Sequence, residues 1–380
     1  MSTTGRPEKS APVASDIASR IQDAGLVRVV AAATGDAVAA TALLTMALDT
    51  HGVAHQSSVV ALPEPADRDT DADVTVGIGR PVADAEVILG AEQEPASATA
   101  LSVATTLGTA DYELALAGII AGGTTPTSDV LAAAADRGID RRPGIATPTS
   151  DRADGLAYSS LVHASFSGDI EAAKEVLAEI DADSDEEMRR SLGSFVAFDV
   201  CADEASTPQA ADAVEPFLRP LSAPGGRLDT VEGYADVLDA IAREQPAMAI
   251  ALALGGVDPT ETLDAWRRHT ESAHEAVRSA STGRYDGLYV VQCDGDKPLG
   301  TVARLVADYR SPEPLVLAVD DSEALAVPVS RDEFTGHLGS RLDEASTAVG
   351  GIGRGTATLG RAHHGGDPTD FIVAFREGAQ

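Results

Sequence analysis

The chain has 380 residues, 44% of them hydrophobic, with 60 acidic against 28 basic residues and a formal net charge of -32. That length suits two or three domains with cores of their own. No apolar run is long enough for a membrane span, and residues 1–14 lack the apolar core of a signal peptide. Only Lys9, Lys174 and Lys297 are lysines, and so acidic and lysine-poor a chain reads as a cytoplasmic protein from a salt-saturated cell. At molar salt the Debye length falls to roughly 3 Å, so the acidity reports habitat before partners. Nucleic acid, if bound, then has to be held by backbone hydrogen bonds and shape rather than by counterion release. Cys201 and Cys293 have no metal-like spacing and read as reduced thiols.

In chain order, residues 1–14 form a polar lead-in and 14–24 show helical periodicity. A buried strand at 27–33 turns through Thr34-Gly35-Asp36 into an alanine- and leucine-rich helix ending near Asp49, and 57–61 is the next strand. A strand-helix-strand crossover implies a parallel sheet. Residues 67–73 are an acidic loop, 74–78 and 86–89 extend the sheet, and helices are expected at 96–107, 112–121 and 128–137. The first α/β domain is placed at 15–165. A helical connector at 166–283 follows, with helices at 170–180, 186–202, 208–218, 230–243 and 259–279 and an apolar turn at 247–254. Alternation returns over 284–380, giving a smaller α/β domain. It has a strand at 285–293, a helix at 301–309, strands at 314–319 and 324–329, a helix at 334–345, a glycine loop, and closing strands at 356–361 and 371–375.

The glycine loop places Gly350, Gly351, Gly353 and Gly355 within six positions, with Arg354 among them and Arg361, His363 and His364 beyond. Glycine lets a backbone approach a ligand closely, so such a loop can cradle a phosphate or a partner's backbone. The plainer reading is a tight turn, since the spacing matches neither a dinucleotide fingerprint nor a P-loop. Likewise 363–366 is either a phosphate contact or an exposed hairpin tip. His269 and His274 lie five apart, off the spacing of a helical metal pair, and read as solvated. Trp266 reads as packing within the connector.

Several segments carry a family likeness: residues 155–163 (GLAYSSLVH), 227–236 (RLDTVEGYAD), 298–304 (PLGTVAR) and the loop at 350–355. Together with the order of lobes, they resemble the DHH phosphoesterase superfamily with its DHHA1 domain, and in particular the archaeal RecJ-like exonucleases. The resemblance implies two divalent ions, usually manganese, held by aspartates and histidines after the first strands and clamping the attacking and leaving oxygens of a phosphodiester. Here Thr34-Gly35-Asp36-Ala37 matches only the second of two expected aspartates. Gly77 and Gly79, Leu89-Gly90-Ala91-Glu92, and Gly122-Gly123 stand where other ligands are expected. Asp36 is then either a helix N-cap or a residual ligand.

The resemblance thus implies a non-catalytic replication or repair subunit without a cofactor. Its implied partners are GINS- and MCM-type proteins, a RecJ-like paralogue, and single-stranded DNA or RNA held by Gly350, Gly351, Gly353, Arg354, Gly355, Arg361, His363 and His364. The alternative is a manganese-dependent single-strand exonuclease or small-nucleotide phosphodiesterase. That enzyme would draw its metal ligands from Asp36, Asp73 and Asp84, joined by Asp71 and Glu92, of which at least three must converge.

Overall fold

Seven residues of nearly unbroken apolar character, LVRVVAA, set the first sheet. In the computed structural model, which describes residues 14–60, 70–79, 82, 85–90, 94–331 and 333–378, they form β1 (Leu26–Ala32) after a short α1 (Ala14–Gln22). Next come α2 (Gly35–Thr50), β2 (Ala54–Val60), β3 (Val74–Ile78) and β4 (Val87–Leu89). The four strands are parallel in the order β2-β1-β3-β4. A central parallel strand is covered on both faces, and every residue of β3 is buried, whereas the edge strand β2 (AHQSSVV) is not. α2 is buried around most of its circumference. Its alanines let α3 (Ala96–Thr106) and α4 (Tyr112–Ala121) approach closely within one core.

The chain then leaves the sheet through α5 (Ser128–Ala135) and β5 (Asp140–Arg141). The helical middle segment contains α6 (Arg152–Tyr158), α7 (Ile170–Glu179), α8 (Asp185–Ala202), α9 (Ala210–Leu218), β6 (Leu221–Ser222), α10 (Val231–Glu244), α11 (Pro246–Ala253) and α12 (Thr260–Ser279). α10, α11 and the first half of α12 complete the core of the first sheet. α6 to α9 and the second half of α12 build a second core with α13 (Leu299–Tyr309).

The C-terminal sheet has the order β11-β12-β10-β9-β8-β7. It is built from β7 (Ser281–Tyr285), β8 (Leu288–Gln292), β9 (Leu315–Val319), β10 (Glu323–Pro328), β11 (Ile352–Gly355) and β12 (Gly360–His363), with α14 (Leu338–Ala348) and α15 (Pro368–Glu377). Only β8 and β9, joined through α13, pair in parallel. Strand side chains alternate between faces. Along β9, Val316 and Ala318 therefore enter the second core, while Leu315, Leu317 and Val319 enter a third, with α14 and α15. The whole is an α/β protein with a parallel N-terminal sheet, a helical middle and a mixed C-terminal sheet. Among the described residues no helix is long and apolar enough to cross a membrane.

Several expectations are corrected. Residues 371–375 lie in α15 rather than a closing strand. Asp367 accepts the Thr369 N–H at 2.7 Å and Pro368 fills the first turn, a cap pairing that starts helices. The run at 285–293 is broken by a turn at Gly287, φ +71°, after which β8 pairs back onto β7 as a hairpin. The apolar turn at 247–254 is helix α11, and the helix expected over 334–345 begins only at Leu338. The glycine loop is largely strand: β11 pairs with β12 and lies on α14. A side chain at Gly353 would stand 2.4 Å from the Leu342 backbone, and one at Gly351 would stand 2.2 Å from the His363 carbonyl. These glycines are needed for close packing.

His269 and His274 are buried, not solvated. His269 links α10 to α13, with Nδ1 2.6 Å from Glu244 Oε1 and Nε2 2.8 Å from Thr301 Oγ1. His274 Nε2 donates to the Ser159 carbonyl at 3.0 Å, which leaves its Nδ1 as an acceptor for the Nδ1–H of His163, also at 3.0 Å. The His274 ring is therefore neutral. Burial pushes His163 down to about 3 and His274 to about 4.

This packing makes stability depend on pH. Because both native histidine pKa values lie below the ordinary 6.5, unfolding takes up protons between about pH 6.5 and 3. Stability is complete above that window and falls with pH inside it, by at most about 1.4 kcal/mol per pH unit per histidine. Urea titrations at successive pH values should show this slope, and His163→Gln should flatten it; an unchanged slope would contradict a neutral buried pair. Gly353→Ala should cost about 1–3 kcal/mol by overpacking. Gly350→Ala, with φ +78° and nothing within 4 Å, should lose only about 1 kcal/mol to backbone strain.

Candidate functional site

The turn after β1 faces the C-terminal lobe. Thr34 caps α2 by accepting the Ala37 N–H at 3.3 Å, and the Gly35 N–H donates to Asp239 Oδ1 on α10 at 3.2 Å. Asp36 therefore caps not its own helix but α3. Its carboxylate accepts the Ala96 and Ser97 N–H groups at 2.8 and 2.9 Å and lies 2.6 Å from Ser97 Oγ. Burial raises its pKa, an effect opposed by those hydrogen bonds and by the charge of Arg331.

Arg331 reaches this point from the segment between β10 and α14. Its Nη1 donates to the Gly122 carbonyl at 2.6 Å, at the C-terminal end of α4, where a cation is favoured. It also feels Asp308 and Asp239. One guanidinium thus ties the two lobes together beside the carboxylate that the family likeness singled out.

The remaining candidates do not assemble a metal site. Asp73 Oδ2 accepts the Gly25 and Leu26 N–H groups at 2.8 and 2.9 Å, where β1 and β3 begin. Asp36 follows the opposite end of β1, seven residues and about 20 Å away, so the two cannot share an ion. Asp71 is exposed at the same end as Asp73. Asp84 and Glu92 lie outside the described residues. Gly79, Gly90 and Gly123, at φ +67°, +75° and +68°, occupy the turns where further ligands were expected. Among the described residues no three His, Cys, Asp or Glu side chains are placed to hold a metal. The donor set there does not fit a manganese pair, which needs ligand number and geometry together.

What the two lobes bring together instead is arginine. Arg243, on α10, lies against the first turn of α13, where a side chain at Gly300 would meet its Nη1 at 1.7 Å. Among the described residues it has no hydrogen-bonded or ion-paired carboxylate. Burial, Arg361 and Arg304 lower its pKa, while Asp239 and Glu323 oppose them. Arg304 donates to the Ser160 carbonyl at 3.0 Å and Ser160 Oγ at 2.8 Å, and Arg361 pairs with Glu323. Asp308, one turn beyond Arg304, is raised by burial and feels Arg304 and Arg331.

Where the lobes meet, four arginines therefore lie within electrostatic reach of Asp36, Asp239, Asp308 and Glu323. Apart from Asp36 and Arg361, none of these was singled out from the sequence. The available signals were the four-residue spacings Asp239/Arg243 and Arg304/Asp308, which place each acid and base on one helix face.

The expected nucleic-acid contacts divide. Gly353 is buried, Gly351 half-buried and Gly355 exposed, although a side chain at Gly355 would stand 2.1 Å from the Leu359 carbonyl; Gly350 is open. Arg354 is exposed and pairs with Asp343 at 3.2 Å. His363 is exposed, beside an Ile352 that is 60% exposed. His364 is not at a hairpin tip. It is only 2% exposed, stacks on Phe371 with ring centroids 4.9 Å apart, and lies between the carbonyls of Asp320 and Gly366.

Residues 280–377 match the family model described as "Uncharacterized protein rrnAC1427, C-terminal domain". Rather more of the chain, 99%, aligns with the whole of the Haloarcula marismortui protein of that name, at 47% identity. Among solved structures, CDC45 from Entamoeba histolytica superposes with a TM-score of 0.56 at 11% identity, covering 96% of this chain and 97% of that one. RecJ in complex with Mn2+ from Thermus thermophilus gives a TM-score of 0.48 at 12% identity, over 96% of this chain and 54% of that one. The chain shares its fold with CDC45 from Entamoeba histolytica and belongs to the family of the Haloarcula marismortui protein rrnAC1427.

Proposed function

We propose that the protein is a non-hydrolytic DHH-fold subunit of replication or repair, using its interlobe face to hold partners and single-stranded nucleic acid. The observation that carries this reading is the state of Asp36. Its carboxylate is engaged by the first turn of α3, and the neighbouring cation is the Arg331 guanidinium. The fold it shares with a CDC45 protein over nearly the full length of both chains supports a scaffold. GINS- and MCM-type proteins, or a RecJ-like paralogue, are the partners implied by resemblance. Arg243, Arg304, Arg331 and Arg361 offer forked donors to phosphate oxygens without lysine.

The test is hydrolysis of 5′-labelled single-stranded DNA and RNA in molar KCl with manganese. Neither the wild-type protein nor Asp36→Ala should cleave, and manganese should leave the wild-type melting temperature unchanged. Asp36→Ala should instead destabilise the fold by about 1–2 kcal/mol through the lost cap. Wild-type cleavage abolished by Asp36→Ala would overturn the proposal in favour of a manganese-dependent exonuclease or phosphodiesterase. Tagged protein recovered from cells at high salt should bring replication proteins with it, and recovery without them would refute the partner assignment.

A further inference from the structure

A separate cavity of about 320 Å³ opens where the first lobe meets the helical middle segment, at the small end of the range for metabolite sites. Its charged lining consists of Arg142, Arg152, Arg189, Asp185 and Asp229. In a chain with about two acidic residues for every basic one, these walls hold three guanidiniums against two carboxylates.

The pairing inside the cavity leaves that excess available. Asp185 is shared, pairing with Arg152 and accepting from Arg189 Nε at 2.8 Å, so one negative charge faces two positive ones. Among the described residues the exposed Arg142 side chain has neither an ion pair nor a hydrogen bond. The Asp229 carboxylate likewise accepts none; only its backbone N–H is engaged, by the Pro148 carbonyl at 3.2 Å. Gly144 is buried at φ +140°, and the aliphatic stem of Arg189 lies 3.7 Å from where its side chain would begin.

Guanidinium forks match the oxygens of a phosphoryl group, and they can supply further donors while held by a shared carboxylate. A carboxylate on the same cavity repels a bare anion but accepts a hydrogen bond from a hydroxyl. Together these walls select a ligand with both features.

We propose that this cavity binds a small phosphate monoester carrying hydroxyl groups, with Arg142, Arg152 and Arg189 on the phosphoryl oxygens and Asp229 accepting from a hydroxyl. The site is independent of the interlobe reading.

Calorimetric titration of the full chain in molar KCl, with glycerol 3-phosphate and with inorganic phosphate, tests it. Glycerol 3-phosphate should bind the wild type more tightly than phosphate does. Arg142→Gln should weaken that binding about tenfold, equivalent to about 1.4 kcal/mol, without moving the melting temperature of the ligand-free protein, because the Arg142 side chain holds nothing in the fold. Asp229→Asn should erase the preference for the ester over phosphate. Absence of binding by either probe, or equal affinity in the wild type and Arg142→Gln, would overturn the site. Equal wild-type affinity for ester and phosphate would overturn the hydroxyl contact.

Discussion

One carboxylate fixes how the first lobe closes. Asp36 leaves the end of β1 and accepts the free N–H groups that begin α3, so the exit of the central strand and the start of a covering helix are held at one point. Such a cap is worth about 1 kcal/mol. Its larger effect is geometric, because α2, α3 and α4 pack against one another within the same core. A carboxylate desolvated among N–H groups and a hydroxyl is poorly placed to ligate an ion.

The junction of the two lobes shows how a very acidic chain manages its interior. Nearly all of its cations are arginines, and four of them converge where the lobes meet. Arginine keeps its charge when partly buried and distributes several donors in a plane. Arg331 can therefore satisfy the Gly122 carbonyl that caps α4 while facing Asp36 and Asp308, and Arg304 can hold the backbone and hydroxyl of Ser160. A lysine would offer a point charge in place of that fork.

Much of the architecture was legible in the sequence. Apolar strands alternating with amphipathic helices gave the parallel sheet, the helical middle and the second α/β lobe. The losses arose where a local signal depends on a distant partner. The short apolar run at 371–375 fits a strand until Asp367 and Pro368 are read as a helix start. Gly353 and Gly355 read as part of a loop until α14 is seen to lie against them. His274 seemed solvated because nothing near it in sequence announces His163 or the Ser159 carbonyl. In the sequence the candidate site showed only as Asp36 and as glycines at expected ligand positions. Its replacement by Arg243, Arg304 and Arg331 draws on segments separated by up to about ninety residues, which no local pattern connects.

α12 runs for twenty residues, a rod of about 30 Å. Its first half, with Leu263 and Trp266, is embedded in one core, and its second half, with Ala273 and Ala276, in another. Midway along it, His269 reaches to both α10 and α13. A helix gains most of its stability from the surfaces it packs on, so neither half keeps its shape once the other core dissolves. The two lobes are for that reason a single cooperative unit. The unit that folds and unfolds is larger than either sheet with its own helices.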